Sequence, residues 1–413
     1  MPDSYKIVSS KDNELVKWLN SYDLNANPDK IEVLHLCGWD KRGKYFLFFK
    51  NRLLKDMLGR LKNRVIFYLA CVLEWPNPFW RVLKSSIEES GVYVYGMSFS
   101  ILNLIRQAAR IKIIHFHYVY PQPLYGFFTA LPIRIRNFLY RISVRYQEIS
   151  FVPRLRFAKF LGYRIIYTVH NFLPHENNRF IKQNTEALYR FSDTVVVMGE
   201  CDRAAVRKFI PENKIRIIPF FRLEYLLGTV PDKDVSRERL YLPQNKKIYL
   251  CFGNIRRYKG FDIVIKVFKD LQIDALLVVA GDPSEDPGFS DELRNLAEGE
   301  KRIKLFLRKL SDEEINLFIS SCDVAVFPFR RISNSASWIT AKSFYKPTIV
   351  SEKGNIREYA SPLTDMLIND ELELKESIIA SFKTDFSFPR EEYLRNIPPL
   401  PEVAAMYSKV YNE

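Results

Sequence analysis

Apolar residues in this chain fall into short unbroken runs that alternate with stretches of helical spacing. The clearest case is the run Ile248 to Phe252, of the kind that forms a strand buried on both faces. It breaks at Gly253 and passes through the basic loop Asn254 to Lys259 before reaching Gly260. Apolar residues then recur at Ile263, Val264, Val267, Phe268 and Leu271, which predicts a helix.

The same rhythm runs through the rest of the chain. Runs at Ile31–Cys37, Val65–Leu73, Gly91–Tyr95, Lys112–Tyr118, Arg164–His170, Thr194–Met198 and Ile215–Pro219 predict strands with helices between them. A charged, proline-punctuated stretch, 222–244, reads as an interdomain linker. After it, runs at Tyr249–Phe252, Ala275–Ala280, Ile303–Leu307 and Val324–Phe329 restart the pattern. Repeated β-α-β units imply parallel sheets. The expectation is α/β: two Rossmann-like domains whose parallel sheets face each other across a cleft.

Two stretches depart from this pattern. In Lys41–Arg64, apolar Leu53, Leu54, Met57, Leu58 and Leu61 alternate with Lys and Arg, a basic amphipathic helix. From Pro121 to Arg164, arginines interleave with Phe and Tyr, and Glu148 is the one acidic residue. Such a stretch suits a helical cover on the sheet, a membrane interface or a single-stranded nucleic acid.

Length and charge sharpen the choice. At 413 residues with 47% hydrophobic and 27% charged positions, the chain can build two or three ordinary cores. Its formal charge of +14 points to a negatively charged partner. Cys37, Cys71, Cys201, Cys251 and Cys322 are scattered, as expected of reduced thiols and not of zinc or disulfides. No signal-like region follows Met1, and no apolar run reaches the ~20 residues of a spanning helix. A cytoplasmic protein that touches the membrane's inner face is the expectation.

Candidate chemistry clusters where strands end. The Gly253–Gly260 turn has the parts of an anion cradle: glycines that admit close approach, a helix N-terminus, and Arg256, Arg257 and Lys259. Its spacing matches neither G-x-G-x-x-G nor G-x-x-x-x-G-K-[ST]. His115 and His117 share one face of a strand end, placed to line a cleft or to be held by hydrogen bonds. His170 ends a strand and is followed by Asn171, His175 and Glu176, a polar loop where parallel sheets bind ligands.

Taken together, these motifs resemble a known family. Phe252 to Gly260, Val279 to Asp282, Cys322 to Phe329, Lys346 to Ser351 and Gly354 to Glu358 resemble the nucleotide-sugar half of group 1 glycosyltransferases, which have the GT-B fold. Thr168 to Glu176 is similar to a Thr-Val-His-Asn-x-x-Pro-His-Glu stretch of one bacterial and archaeal clade. The resemblance implies an N-terminal extension at 1–63, an acceptor-side domain at 64–221, the linker at 222–244 and a nucleotide-sugar domain at 245–395. A C-terminal helix at 396–413 would pack back toward the N-terminal domain.

The resemblance also implies roles. Lys259 and Arg256 would grip the departing diphosphate, which requires neither metal nor cofactor, and His170 would touch the transferred sugar or its leaving oxygen. Gly253, Asn254 and the amides of Ser335, Ala336 and Ser337 would complete the phosphate cradle. His117, Asn171, Glu176 and Glu358 would line the substrate cleft. The sequence departs from the family where two glutamates are common: Ile332 and Thr340 stand there. Asn254 replaces the usual arginine after the glycine, and Ala336 a clade glycine.

The expected activity is hexosyl transfer, metal-independent and retaining. The donor would be a nucleoside diphosphate sugar and the acceptor lipid-linked or a polysaccharide, at an anionic membrane surface and with no nucleic acid. The rivals are a catalytically impaired nucleotide-sugar-binding scaffold and, on charge alone, a nucleic-acid-binding protein.

Overall fold

The computed structural model describes residues 32–36, 78–89, 92–96, 99–109, 111–117, 133–170, 179–224 and 230–413. The helix expected at 41–64, the strand expected at Val65–Leu73, and Asn171, His175 and Glu176 lie outside these residues.

The first sheet contains β1 (Glu32–Leu36), β2 (Tyr93–Gly96), β3 (Ile113–Phe116), β4 (Arg164–Thr168), β5 (Thr194–Val197) and β6 (Ile215–Ile217), in the order β2-β1-β3-β4-β5-β6. β1 pairs in parallel with β2 and β3, Leu34 opposite Tyr95 on one side and Ile114 on the other. This strand falls within 1–63, which the family resemblance sets apart as an extension. In the structure it is an interior strand of the sheet.

The second sheet contains β7 (Lys247–Phe252), β8 (Ala275–Gly281), β9 (Ile303–Leu307), β10 (Val324–Phe327), β11 (Thr348–Ser351) and β12 (Asp365–Ile368), in the order β12-β11-β10-β7-β8-β9. This is the doubly wound 3-2-1-4-5-6 order read from β9, and it reverses between β7 and β10. Strands β8 and β10 are buried throughout, as their unbroken apolar runs predict, and β11 is buried throughout although Thr348 and Ser351 bound its two apolar residues. Phe261, Val264 and Phe268 of the helix Phe261–Lys269 pack into the same core. Burial of each such side chain contributes about 1.5–3 kcal/mol.

The chain divides into two compact units, residues 1–168, 176–195 and 404–413 in one and 169–175 and 196–403 in the other. Residues 222–244, expected as a linker, lie inside the second unit. Arg222 donates to the carbonyls of Ile397 and Leu394. The helix Lys233–Arg239 starts at Asp232, whose side chain accepts from the amides of Asp234 and Val235. Arg237 is buried because Asp323 pairs with it at 2.7 Å and the carbonyls of Ser321 and Gln244 accept from it. Charge that reads as solvated in sequence is here neutralised by residues distant along the chain.

Within the basic-aromatic stretch, residues 133–160 form one helix, Ile133–Phe160, and residues 121–132 lie outside the described residues. The last ten residues belong to the first unit, which holds the end of the helix Leu400–Asn412.

Candidate active site

Ligands of open α/β sheets bind beyond the carboxyl ends of strands where the order reverses. In the second sheet those ends are Phe252 of β7 and Phe327 of β10. The chain leaves β7 at Gly253, whose φ of 112° suits glycine. It then forms the tight turn Arg257–Lys259 and enters the helix through Gly260, at φ 71°. A Cβ on Gly260 would lie 2.1 Å from the Pro328 carbonyl oxygen, so only glycine lets the turn pack on the β10 loop. Arg330 locks the two loops together. Its amide donates to the Tyr258 carbonyl at 2.8 Å, and its guanidinium makes a two-pronged pair with Asp262 at 2.8 and 2.6 Å.

Lys259 lies at the centre of this turn. Its side chain is buried, and its Nζ donates to Ser337 Oγ at 3.2 Å. A Cβ on Gly253 would sit 2.3 Å from that Nζ and 2.7 Å from the Ser337 hydroxyl, so the glycine is what makes room for the ammonium. Burial, and then the nearby Arg256 charge, pull the Lys259 pKa down from its ordinary value to about 7. Among the described residues no carboxylate is paired with it. Ser337 stands in the first turn of the helix Ala336–Ser343, where Ser335 is the N-cap and accepts from the Trp338 amide at 3.2 Å. The first amides of this helix have no acceptor within it, which adds uncharged donors beside the ammonium.

Arg256 is half-buried and ion-paired with Glu285, while its Nε is buried without a hydrogen-bond partner. Arg257 turns outward to Glu292 at 2.7 Å and Asp286 at 3.7 Å. Asn254 is exposed.

Gly253, Lys259 and Ser337 thus meet, with Ser335 and Ala336 opening the same helix. Glu358 is engaged elsewhere: its carboxylate accepts from the amides of Glu200 at 2.8 Å and Cys201 at 3.3 Å, capping the helix Glu200–Val206. His170 follows β4 and is half-buried; burial lowers its pKa to about 3, so the ring is neutral at ordinary pH.

His117 is buried at the end of β3, where the order of the first sheet reverses, its ring 4.2 Å from that of His115. His115 bridges Tyr411 Oη at 2.8 Å and Thr168 Oγ1 at 2.7 Å, tying the C-terminal helix to β3 and β4. Asp202, Asn334 and Asn355 were not singled out in the sequence. Asn355 donates to Asp202 at 2.6 Å and to Asn334 at 3.1 Å, and its amide holds the Ser333 carbonyl at 3.0 Å. This cluster fixes the loop leading to Ser335. Asn355 inside the Gly354–Glu358 motif was the available signal.

Residues 232–378 match the family model described as "Glycosyl transferases group 1". A GDP-mannose:glycolipid 4-beta-D-mannosyltransferase of Xanthomonas campestris pv. campestris is 25% identical over 190 residues. That match covers 46% of this chain and 50% of the relative, so the chain spans about half the length of the curated relatives it matches. Among solved structures, Anabaena Alr3699/HepE in complex with UDP and glucose superposes with a TM-score of 0.62 at 12% identity, covering 93% of this chain and 100% of that one. A glycosyltransferase from Rickettsia africae ESF-5 gives 0.59 at 15% identity, covering 93% and 98%. Two parallel α/β sheets with these neighbours define the GT-B fold, and the group 1 sequence match lies over its second sheet.

Proposed function

We propose that this chain is a group 1 glycosyltransferase that moves a hexose from a nucleoside diphosphate sugar to a lipid-linked or polysaccharide acceptor at the cytoplasmic face of the membrane. The observation that carries this reading is Lys259: a buried ammonium, bonded to one hydroxyl, at the sheet's reversal point. Breaking the anomeric bond leaves an oxocarbenium-like sugar and builds charge on the departing diphosphate. A fixed cation and helix-start amides stabilise that charge without rearranging. The arriving phosphates supply the counter-charge the site lacks and draw a proton onto Lys259. Arg256 joins by exchanging Glu285 for phosphate. His170, neutral, donates a hydrogen bond to the sugar or its leaving oxygen. The likeness of Thr168–Glu176 to the clade motif supports placing the chain in that clade.

Similarity to proteins named for GDP-mannose and for UDP leaves two donor bases to compare. Titration calorimetry with UDP, GDP and their common sugars tests the site directly. Diphosphate binding that is strongly weakened in Lys259→Ala is expected; normal binding in both Lys259→Ala and Arg256→Ala would misplace it. No metal is needed for this chemistry, so activity retained in a chelator is expected. Retention is what the group 1 resemblance implies, whereas the Xanthomonas relatives are named for a beta linkage. The anomeric configuration of the product by NMR decides between them.

A second reading, a nucleotide-sugar-binding scaffold, is favoured by Ile332 and Thr340 where the family has glutamates and by the Arg256–Glu285 pair. Release of UDP or GDP from sugar nucleotides in the presence of membrane extract separates a transferase from a scaffold.

A further inference from the structure

The helix Ile133–Phe160 is apolar on two opposite faces. One faces the protein: Phe151, Leu155 and Ala158 are buried, and buried Arg154 donates to the carbonyls of Phe99, Ser150 and Gln147. The other faces outward. Ile135, Phe138, Ile142, Tyr146, Ile149, Pro153 and Phe160 are all exposed, Phe138 at 63% and Phe160 at 83%. From Ile135 to Pro153 they are spaced three and four residues apart, and Phe160 follows seven positions on along the same face, so they draw one stripe along the helix, about 37 Å long at 1.5 Å per residue. Isolated exposed apolar residues need no explanation; a continuous row of them does. Arg134, Arg141 and Arg145 are exposed along one edge of this row. The one acidic residue in the helix, Glu148, is buried beside Arg145 at 3.8 Å.

We propose that this stripe is the docking surface for an anionic lipid bilayer, with the helix lying in the plane of the membrane. Charge complementarity selects the occupant. A second copy would bring arginine edges together with no exposed carboxylate on the helix to meet them. A bilayer takes both features at once: apolar side chains enter the acyl boundary while the guanidinium groups stay at phosphate depth. Among the described residues no helix is long and apolar enough to cross a membrane, so this one lies on the surface. The proposal deepens the transferase reading by naming the element that meets the membrane, and it rests on that reading only for its purpose.

Vesicle flotation of the full chain tests it, comparing phosphatidylglycerol-containing with pure phosphatidylcholine vesicles at low and high salt. Binding is expected to anionic vesicles and to weaken with salt. Phe138→Glu with Ile142→Glu is expected to lower the partition coefficient by at least about tenfold, the order set by burying one such side chain. Arg134→Gln with Arg141→Gln is expected to remove most of the preference for anionic lipid. Both pairs are exposed, so circular dichroism and nucleotide titration should match wild type. Flotation indifferent to lipid charge, or unchanged in the glutamate pair, overturns the proposal. So does a wild-type dimer that ignores vesicles and is split by Phe138→Glu with Ile142→Glu. Lost vesicle binding with intact nucleotide binding sinks this proposal alone; intact vesicle binding without nucleotide binding sinks the transferase reading instead.

Discussion

Two lysines of the second unit are buried to a similar degree and treated in opposite ways. Lys342 is fully enclosed and pairs with Asp365 at 2.6 Å. Thr364 also accepts from it at 2.6 Å, and Asp365 in turn accepts from Thr348 and from the Ser361 amide. Lys259 has a single hydroxyl for hydrogen bonding, a neighbouring arginine, and a glycine that clears space around it. A buried charge that only holds the fold together is given its counter-ion by the fold. A buried charge left without one is stable only as far as something else completes it. The contrast sets a structural cation against the one proposed above to bind a ligand.

The comparison breaks most visibly at Lys342. Lys342→Ala leaves Asp365 buried and unpaired, with an expected loss of about 3–5 kcal/mol of stability in urea unfolding. Lys259→Ala should do the reverse: little change or a gain in stability, with diphosphate affinity in calorimetry lowered by about 1.5–3 kcal/mol, the worth of a hydrogen bond to a charged group. If both variants lose stability equally, the distinction fails.

Gly253→Ala places a methyl where the ammonium sits and forces alanine to a φ of 112°. A stability loss of about 1–3 kcal/mol is expected from such strain, with weaker diphosphate binding.

The pH dependence sharpens the contrast further. Lys259 titrates at about 7 in the fold, below its ordinary 10.5, so between these values the unfolded chain binds the extra proton. Its contribution to stability therefore rises with pH across that window, and Lys259→Met should flatten the rise. Diphosphate binding should take up protons just above pH 7 and weaken as pH increases, measurable by calorimetry in buffers of different ionisation enthalpy.

The smallest effect is expected in the first unit. Tyr411→Phe removes one bond to His115, worth about 1 kcal/mol in thermal unfolding.

Much of this was legible along the chain. Continuous apolar runs mark strands whose two faces are both covered, and the three-and-four spacing after Gly260 marks the helix at Phe261–Lys269. Both signals are local, which is why the strand–turn–helix around Lys259 could be placed from residues 248–271 alone.

Partners are not local. Whether Arg237 is a solvated linker charge or a buried one depends on Asp323, 86 positions away. Glu358, set among substrate ligands by its motif, caps a helix 158 positions earlier, and Arg256, assigned to phosphate, meets Glu285 across the turn. Periodicity states which side of an element is apolar. It does not state whether protein covers that side, so the inward and outward faces of Ile133–Phe160 parted only once the helix was packed. The sequence by itself determined the alternation of elements and the class of fold, because those follow from neighbours on one strand or helix. Tertiary structure decided which charges are neutralised and which, like Lys259, have no carboxylate beside them among the described residues, because a counter-ion can come from anywhere along the chain.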